Sequence, residues 1–308
     1  MLKEEYKFYK RSGAILEKTF RLALELTNPG AKLLDIAEKL ENHIRSYSAV
    51  PAFPVNISIN EIAAHYSPTI NDESLIPEKS IVKIDCGVSV NGYLSDAART
   101  IIFDNQWQKL HEASEQALDN AIKEIGANIS VYKLGEVIEQ TINKAGFLPI
   151  SNLTGHSLAR YSLHDGISIP NYSISKNLRK ASDKFKVGSA YAIEPFATTG
   201  IGKVVDGDEI TIYMLLNETG KISLHKKIRE IYELIKMKTY SLPFSPRLIS
   251  NENFSEELIE EAIIELYEKG MVRGYPILVE ASKAPVTQTE DTIWVGKNKI
   301  FNLTRRVS

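Results

Sequence analysis

Two aspartates, Asp85 and Asp96, stand 11 residues apart on either side of Asn91-Gly92. That dipeptide is a strong signal for a two-residue hairpin turn. Its flanks, Ile81-Val82-Lys83-Ile84-Asp85-Cys86-Gly87-Val88 and Tyr93 to Phe103, have strand composition. Such a turn pairs Val90 with Tyr93 and Asp85 with Ala98. Asp96 then shares a face with Asp85 as its diagonal neighbour. Carboxylates so placed repel unless water or a cation lies between them, and aspartate is depleted in strands. A solvent-facing hairpin is the plainer alternative, and a shared cation is the sharper one. The same parity puts Cys86 on the opposite face, as a small buried core residue.

Three more segments carry donors. His156 follows a predicted strand in Gly155-His156-Ser157. Glu194 ends a strand just before Pro195, which stops regular pairing. Val286-Thr287-Gln288-Thr289-Glu290 is strand-like and puts Gln288 and Glu290 on one face. Singly, each reads as an ordinary solvated or core residue. Together, four carboxylates and one imidazole form a donor set for hard or borderline ions such as Mn²⁺, Fe²⁺, Co²⁺ or Zn²⁺. Two divalent ions balance the charge of four carboxylates, whereas one leaves an excess. Two ions roughly 3.5–4 Å apart are a hydrolytic arrangement.

The surrounding pattern says what could position these groups. Apolar residues at helical spacing predict helices over about 3–26 and 33–47, followed by the extended Pro51-Ala52-Phe53-Pro54. Helices follow again over about 106–125 and 131–145, with strands after them. Helix-helix-strands therefore appears twice, near 1–103 and 104–215, as a weak internal duplication. The expected fold class is α/β, a curved antiparallel sheet backed by two helix pairs. Composition changes over 217–270, where helices are expected at 224–238 and 256–269, with Ser255 or Asn253 as a cap and Gly270 at C′. This stretch is expected to be a small helical insert, with 1–216 and 271–308 as the catalytic domain. Residues 221–247 hold seven Lys/Arg against two Glu, and 251–273 hold seven Glu against two Lys/Arg. Opposite charges pairing between two helices is the plain reading. A basic helix reading DNA is the sharper one, disfavoured by the near-neutral sum.

Composition narrows the class. The 308 residues are 43% hydrophobic and 25% charged, which excludes a disordered or collagen-like chain. Net charge is −2, from 37 basic and 39 acidic side chains, so no global field favours nucleic acid or an anionic membrane. A single cysteine excludes an intrachain disulfide framework and a multi-cysteine zinc site. No apolar run reaches the roughly 18–20 residues of a membrane span. The start, Met1-Leu2-Lys3-Glu4-Glu5-Tyr6-Lys7, lacks the apolar segment of a signal peptide. A cytoplasmic protein is expected.

Longer motifs carry a resemblance across essentially the whole chain. They are Pro51-Ala52-Phe53-Pro54-Val55-Asn56-Ile57-Ser58-Ile59-Asn60-Glu61-Ile62-Ala63-Ala64-His65-Tyr66, Lys83-Ile84-Asp85-Cys86-Gly87, Asp96-Ala97-Ala98-Arg99-Thr100, Gly155-His156-Ser157, Ile193-Glu194-Pro195-Phe196 and Gln288-Thr289-Glu290. The sequence resembles the type 2 methionine aminopeptidases in their archaeal short form, within subfamily A of peptidase family M24. The interval of 8 from His156 to His164 and of 96 from Glu194 to Glu290 look like type 2. The resemblance implies the pita-bread fold, with pseudo-twofold symmetry. It implies Asp85, Asp96, His156, Glu194 and Glu290 as ligands of two divalent ions (Co, Mn, Fe, Ni or Zn), Asp96 and Glu290 bridging both. His65 and His164 would act on substrate, Glu290 would also shuttle a proton, and Phe53, Pro54 and Leu163 would wall a methionine pocket. Its substrates would be N-terminal Met peptides and nascent chains, with small second residues favoured. A monomer, transient ribosome contact and no stable nucleic-acid or membrane partner complete the expectation. The sequence departs from the family's commoner His at Asp291. The alternatives are an Xaa-Pro aminopeptidase or prolidase on the same fold, and a non-catalytic pita-bread protein binding ribosomes or chromatin.

Overall fold

The computed structural model describes residues 4–216, 223–250 and 252–305. Helices α1 (Tyr6–Leu26) and α2 (Leu33–Ser46) form the first pair, and α3 (Gln108–Lys123) and α4 (Tyr132–Lys144) the second. Each buries an apolar stripe at helical spacing, Ile36, Leu40 and Ile44 on α2 and Leu134, Ile138 and Ile142 on α4. The first pair packs on β1 (Ile81–Val90) and β2 (Tyr93–Ile102) through a core that includes Leu16, Phe20, Val82, Ile84 and Cys86. The second packs on the sheet that holds β3 (Thr154–Leu158) and β4 (Ser189–Ile193), through Leu118, Ile138, Ile169, Tyr191 and Ile193. All named strand pairs are antiparallel.

The hairpin follows the expected register. Val90 pairs with Tyr93, Asp85 with Ala98 and Gly87 with Asp96. Asn91 and Gly92 both have positive φ, at 53° and 85°, as a type I′ turn requires. At Gly87 the need is space: a Cβ there would lie 2.4 Å from the Phe53 ring. Phe53 thus lies against the strand directly opposite Asp96.

Strand β5 (Val204–Leu215) pairs with β6 (Val272–Glu280), and β7 (Val286–Gln288) precedes β8 (Asp291–Val295). Two expected placements change here. Gly155-His156-Ser157 lies inside β3 instead of after a strand. Glu290 lies between strands, because the chain changes sheets at that point: Gln288 pairs with Phe196, while Asp291 pairs with Ile193. The facing chain breaks at the same level, across Glu194-Pro195. Proline removes a ladder donor there, and Thr289 N–H donates to Pro195 O at 3.2 Å. Both glutamates therefore sit at twin kinks where the two chains stop pairing regularly with each other, while Glu290 stays bonded to Ala98 on its other side.

Between β5 and β6 lie α5 (Lys226–Thr239) and α6 (Glu256–Glu268), the latter capped by Ser255 and followed by Gly270 at φ 64°. The expected boundary at Asn217 lies outside the described residues, as do Met1 to Lys3. The two helices meet through an apolar seam that includes Ile228, Ile231, Ile235, Ile259, Ile263 and Leu266. The charged faces point outward, with Glu257, Glu260, Glu261 and Glu268 exposed. Lys238 pairs at 2.6 Å with Glu252, which precedes α6. Burying the isoleucines contributes more than exposed charge pairing can, because each buried side chain is worth about 1.5–3 kcal/mol and an exposed pair about 0–1.

The connector between α5 and α6 is tied to α2 by a buried ion pair. Arg247 donates to both Glu41 carboxylate oxygens, at 2.9 and 3.2 Å, and to Ser67 Oγ and Pro68 O. Glu41 also accepts from the Val55 amide, two residues from Phe53. Arg247→Ala removes the buried partner of Glu41, leaving it the Val55 amide and the more exposed Arg45 at 3.5 Å, and is expected to cost about 3 kcal/mol in urea unfolding. A loss below about 1 kcal/mol, as at a surface pair, would show the site to be wet.

Candidate metal centre

The kinks, the hairpin and β3 converge on one cavity of about 240 Å³. Asp85, Asp96, His156, Glu194 and Glu290 all line it, with His65 and His164. Ligand atoms of Asp96, His156 and Glu290 lie within 4.8 Å of one another. His156 Nε2 is 3.6 Å from Asp96 Oδ2 and 3.5 Å from Glu194 Oε1. Gln288 Nε2 donates to Asp85 Oδ2 and Glu290 Oε2, each at 3.3 Å. The remaining oxygens are orphans: Asp85 Oδ1, Asp96 Oδ1 and Glu290 Oε1 are buried without a hydrogen-bond partner. Buried polar atoms are normally satisfied, so three orphans at one point mark a place for a cation. The donor set, oxygen-rich with one imidazole, fits borderline divalent ions.

Burial and mutual repulsion set the protonation of the cluster. Desolvation pushes Asp85 up to about 7, against the Gln288 hydrogen bond. Desolvation, then neighbouring carboxylates, push Asp96, Glu194 and Glu290 well above the ordinary range. Burial lowers His156 to about 3 and His65 to about 4. His164 falls as well, through burial and the Arg273 charge.

These shifts fix a sign for the metal-free protein. A raised carboxylate stabilises the fold below its unfolded value and loses that contribution as pH rises through the folded value. The depressed histidines do the reverse, and their contribution is complete once pH exceeds about 6.5. Above that point the four carboxylates titrate, opposed by Lys83, which burial lowers to about 7 and which adds stability as pH rises; four groups losing stability outweigh one gaining it. The chelated protein is therefore expected to lose Tm steadily from pH 6.5 to 8, and Mn²⁺ is expected to abolish that slope. A flat profile with chelator present would contradict the buried cluster.

His65 ends the short strand Ile62–Ala64 with φ 67°, a left-handed backbone that costs energy in a non-glycine residue. Its Nδ1 lies 3.3 Å from Pro276 O, and its carbonyl accepts from Thr211 Oγ1 at 3.1 Å. His164 stands at the mouth, open to solvent on one side and lining the cavity on the other, its ring centroid 4.4 Å from that of His156. Phe53 and Leu163 line the cavity, whereas Pro54 does not. Pro54 faces a neighbouring cavity of about 300 Å³, with Phe53 and Pro243 as the shared partition. Sequence reasoning did not single out Phe196, Ile212, Tyr275 or Pro243, which also line the site. Tyr275 stands edge-on to His65, ring centroids 5.8 Å apart. Cys86 is buried in the core behind β1 and takes no part.

The pattern of metallopeptidase family M24 matches residues 7–228. A methionine aminopeptidase of Methanocaldococcus jannaschii is 41% identical over 297 residues, covering 96% of this chain and 97% of its own. One from Saccharolobus solfataricus is 44% identical over 275 residues, covering 89% of each. The chain belongs to the methionine aminopeptidases of metallopeptidase family M24. The fold is shared more widely than the sequence: a thermophilic Arx1 superposes with a TM-score of 0.87 at 20% identity, covering 100% of this chain and 92% of its own. That likeness concerns the fold alone. Its place among the methionine aminopeptidases of M24 makes this a metal-dependent aminopeptidase, and the orphaned oxygens fit a divalent metal. Among the described residues no helix is long and apolar enough to cross a membrane.

Proposed function

We propose that the cavity takes the first residue of an N-terminal Met-Xaa peptide and hydrolyses the bond after it, using two divalent ions drawn from Co, Mn, Fe, Ni or Zn. Asp85, Asp96, His156, Glu194 and Glu290 would hold them, with Asp96 and Glu290 reaching both. When bound, such ions act as Lewis acids and make a water nucleophilic near neutral pH. The protein's own groups do the rest. Phe53 and Leu163 give the methionine side chain an apolar wall, and sulfur–aromatic contact favours a thioether. His65, neutral because it is buried, hydrogen-bonds the scissile amide. As water adds to the carbonyl carbon, the Glu290 carboxylate takes its proton and returns it to the leaving nitrogen while the C–N bond breaks. His164 donates a hydrogen bond to the carbonyl oxygen as it becomes an oxyanion. A narrow second subsite favours small residues after methionine.

The observation that carries this reading is one cavity lined by three carboxylates with orphaned oxygens, Asp85, Asp96 and Glu290, the last two gathered with His156, and by His65 and His164. Residues 217–270 would form an insert on a catalytic domain of 1–216 and 271–308, closing one wall through Pro243. A cytoplasmic monomer meeting nascent chains at the ribosome is the corresponding setting. Incubation of the metal-loaded protein with a Met-Gly peptide and an Xaa-Pro peptide tests the specificity. Release of methionine, abolished by chelator, is expected; release of Xaa from Xaa-Pro alone would move the chain to a proline-directed activity.

A further inference from the structure

Arg99 lies three residues beyond Asp96 on β2, so its parity points it away from the cavity. Its guanidinium gathers four acceptors from three separate segments. Nη1 donates to Ala98 O at 2.8 Å and to Glu290 O at 2.5 Å. Nη2 donates to Asp291 Oδ1 at 2.8 Å and to Thr304 O at 2.5 Å. The two side chains are 13% and 2% exposed, so the pair is screened little by water. Asp291 is fixed in turn, accepting from Asn302 Nδ2 at 2.7 Å and from Thr304 Oγ1 at 3.2 Å. Phe20 of α1 lies under the guanidinium, ring centroid 4.8 Å away.

The residue gripped between these contacts is Glu290. Its carbonyl is held by Arg99, its amide donates to Ala98 O at 3.1 Å, and its carboxylate faces Asp96 and His156. It sits at a kink between the Gln288–Phe196 and Asp291–Ile193 pairs, where its backbone keeps a reciprocal pair with Ala98, whose amide donates to the Glu290 carbonyl at 3.4 Å. Two residues on, Thr292 Oγ1 accepts from the Asp96 amide at 2.7 Å and donates to the Asp96 carbonyl at 2.6 Å. One short segment thus fixes both carboxylates placed to bridge two ions. A hydrophobic pair could hold β2 against β8 without desolvating charges. It could not donate to the Glu290 carbonyl.

We propose that Arg99 and Asp291 form a positioning pair for Glu290, setting the affinity of the site for divalent metal from behind the cavity. The inference rests on the metal centre proposed above. Partners one step removed from a metal typically change its affinity 10–100-fold when mutated. Arg99→Met and Asp291→Asn are therefore expected to weaken Mn²⁺ binding by about that factor, with Arg99→Lys recovering part of it.

The test is titration calorimetry of Mn²⁺ into chelator-stripped wild type, Arg99→Met, Arg99→Lys and Asp291→Asn. Thermal melts without metal show which variants are folded. Asp291→Asn keeps the side-chain shape and carries the test where Arg99→Met does not fold. Folded variants with a Kd raised tenfold or more support the pair as positioning. Folded variants that bind Mn²⁺ within threefold of wild type, whatever their Tm, overturn it and leave a merely structural bridge. Failure of wild type itself to bind Mn²⁺ removes the metal centre, and this inference with it.

Discussion

Asp96→Asn is expected to lower methionine release from a Met-Gly peptide by at least about 10³-fold, since it removes a charge aimed at ions that supply several kcal/mol of transition-state stabilisation. Asp96 is the residue on which the cluster turns. It faces His156 at 3.6 Å, meets Glu290 within the same group, and lies diagonally across from Asp85. Its own pKa is raised by burial and then by the Asp85 charge. The same substitution should make the metal-free protein more stable at pH 8, because a repelled, buried carboxylate becomes a neutral amide of equal volume. Function and stability therefore move in opposite directions, as at other strained sites. Kinetics with added Mn²⁺ and melts with chelator read the two effects separately. Turnover near wild type, or a chelated variant less stable than wild type, contradicts the role assigned to this side chain.

The second large effect belongs to His164. An imidazole at the cavity mouth, 4.4 Å ring to ring from His156, can reach the carbonyl oxygen of a peptide lying over the carboxylates. Losing one oxyanion donor costs about 2.7–4 kcal/mol, or about 10²–10³ in kcat. His164→Ala should show that loss in kcat with KM nearly unchanged, because the interaction strengthens only as charge develops. Mn²⁺ affinity should not change. A variant whose KM rises while kcat holds would make His164 a substrate-binding group instead.

Much of this architecture is local and so was legible. Asn91-Gly92 fixes the hairpin register, and the register alone brings Asp85 and Asp96 to one face. The helix pairs follow from their apolar spacing. His156, Glu194 and Glu290 were individually ambiguous in the sequence; donor chemistry and charge balance grouped them, and the resemblance supplied their roles. The structure gives the physical reason. Two antiparallel chains break pairing at the same level, at Glu194-Pro195 and Thr289-Glu290, and no short-range pattern reveals which distant break will face which. Arg99 was hidden for the same reason, since Asp291 lies 192 residues away in the chain. Tyr275 and Phe196 look like ordinary strand aromatics until the sheets meet. The charge blocks of 221–247 and 251–273 suggested pairing between helices, but the isoleucine seam between α5 and α6 takes the interior and leaves the glutamates to solvent.

Anomalous diffraction from crystals grown with Mn²⁺ tests the central claim most directly. Two peaks are expected in the cavity, enclosed by Asp85, Asp96, His156, Glu194 and Glu290, with Asp96 and Glu290 touching both. A map with no peak among these side chains, or with manganese held only elsewhere on the chain, would contradict it.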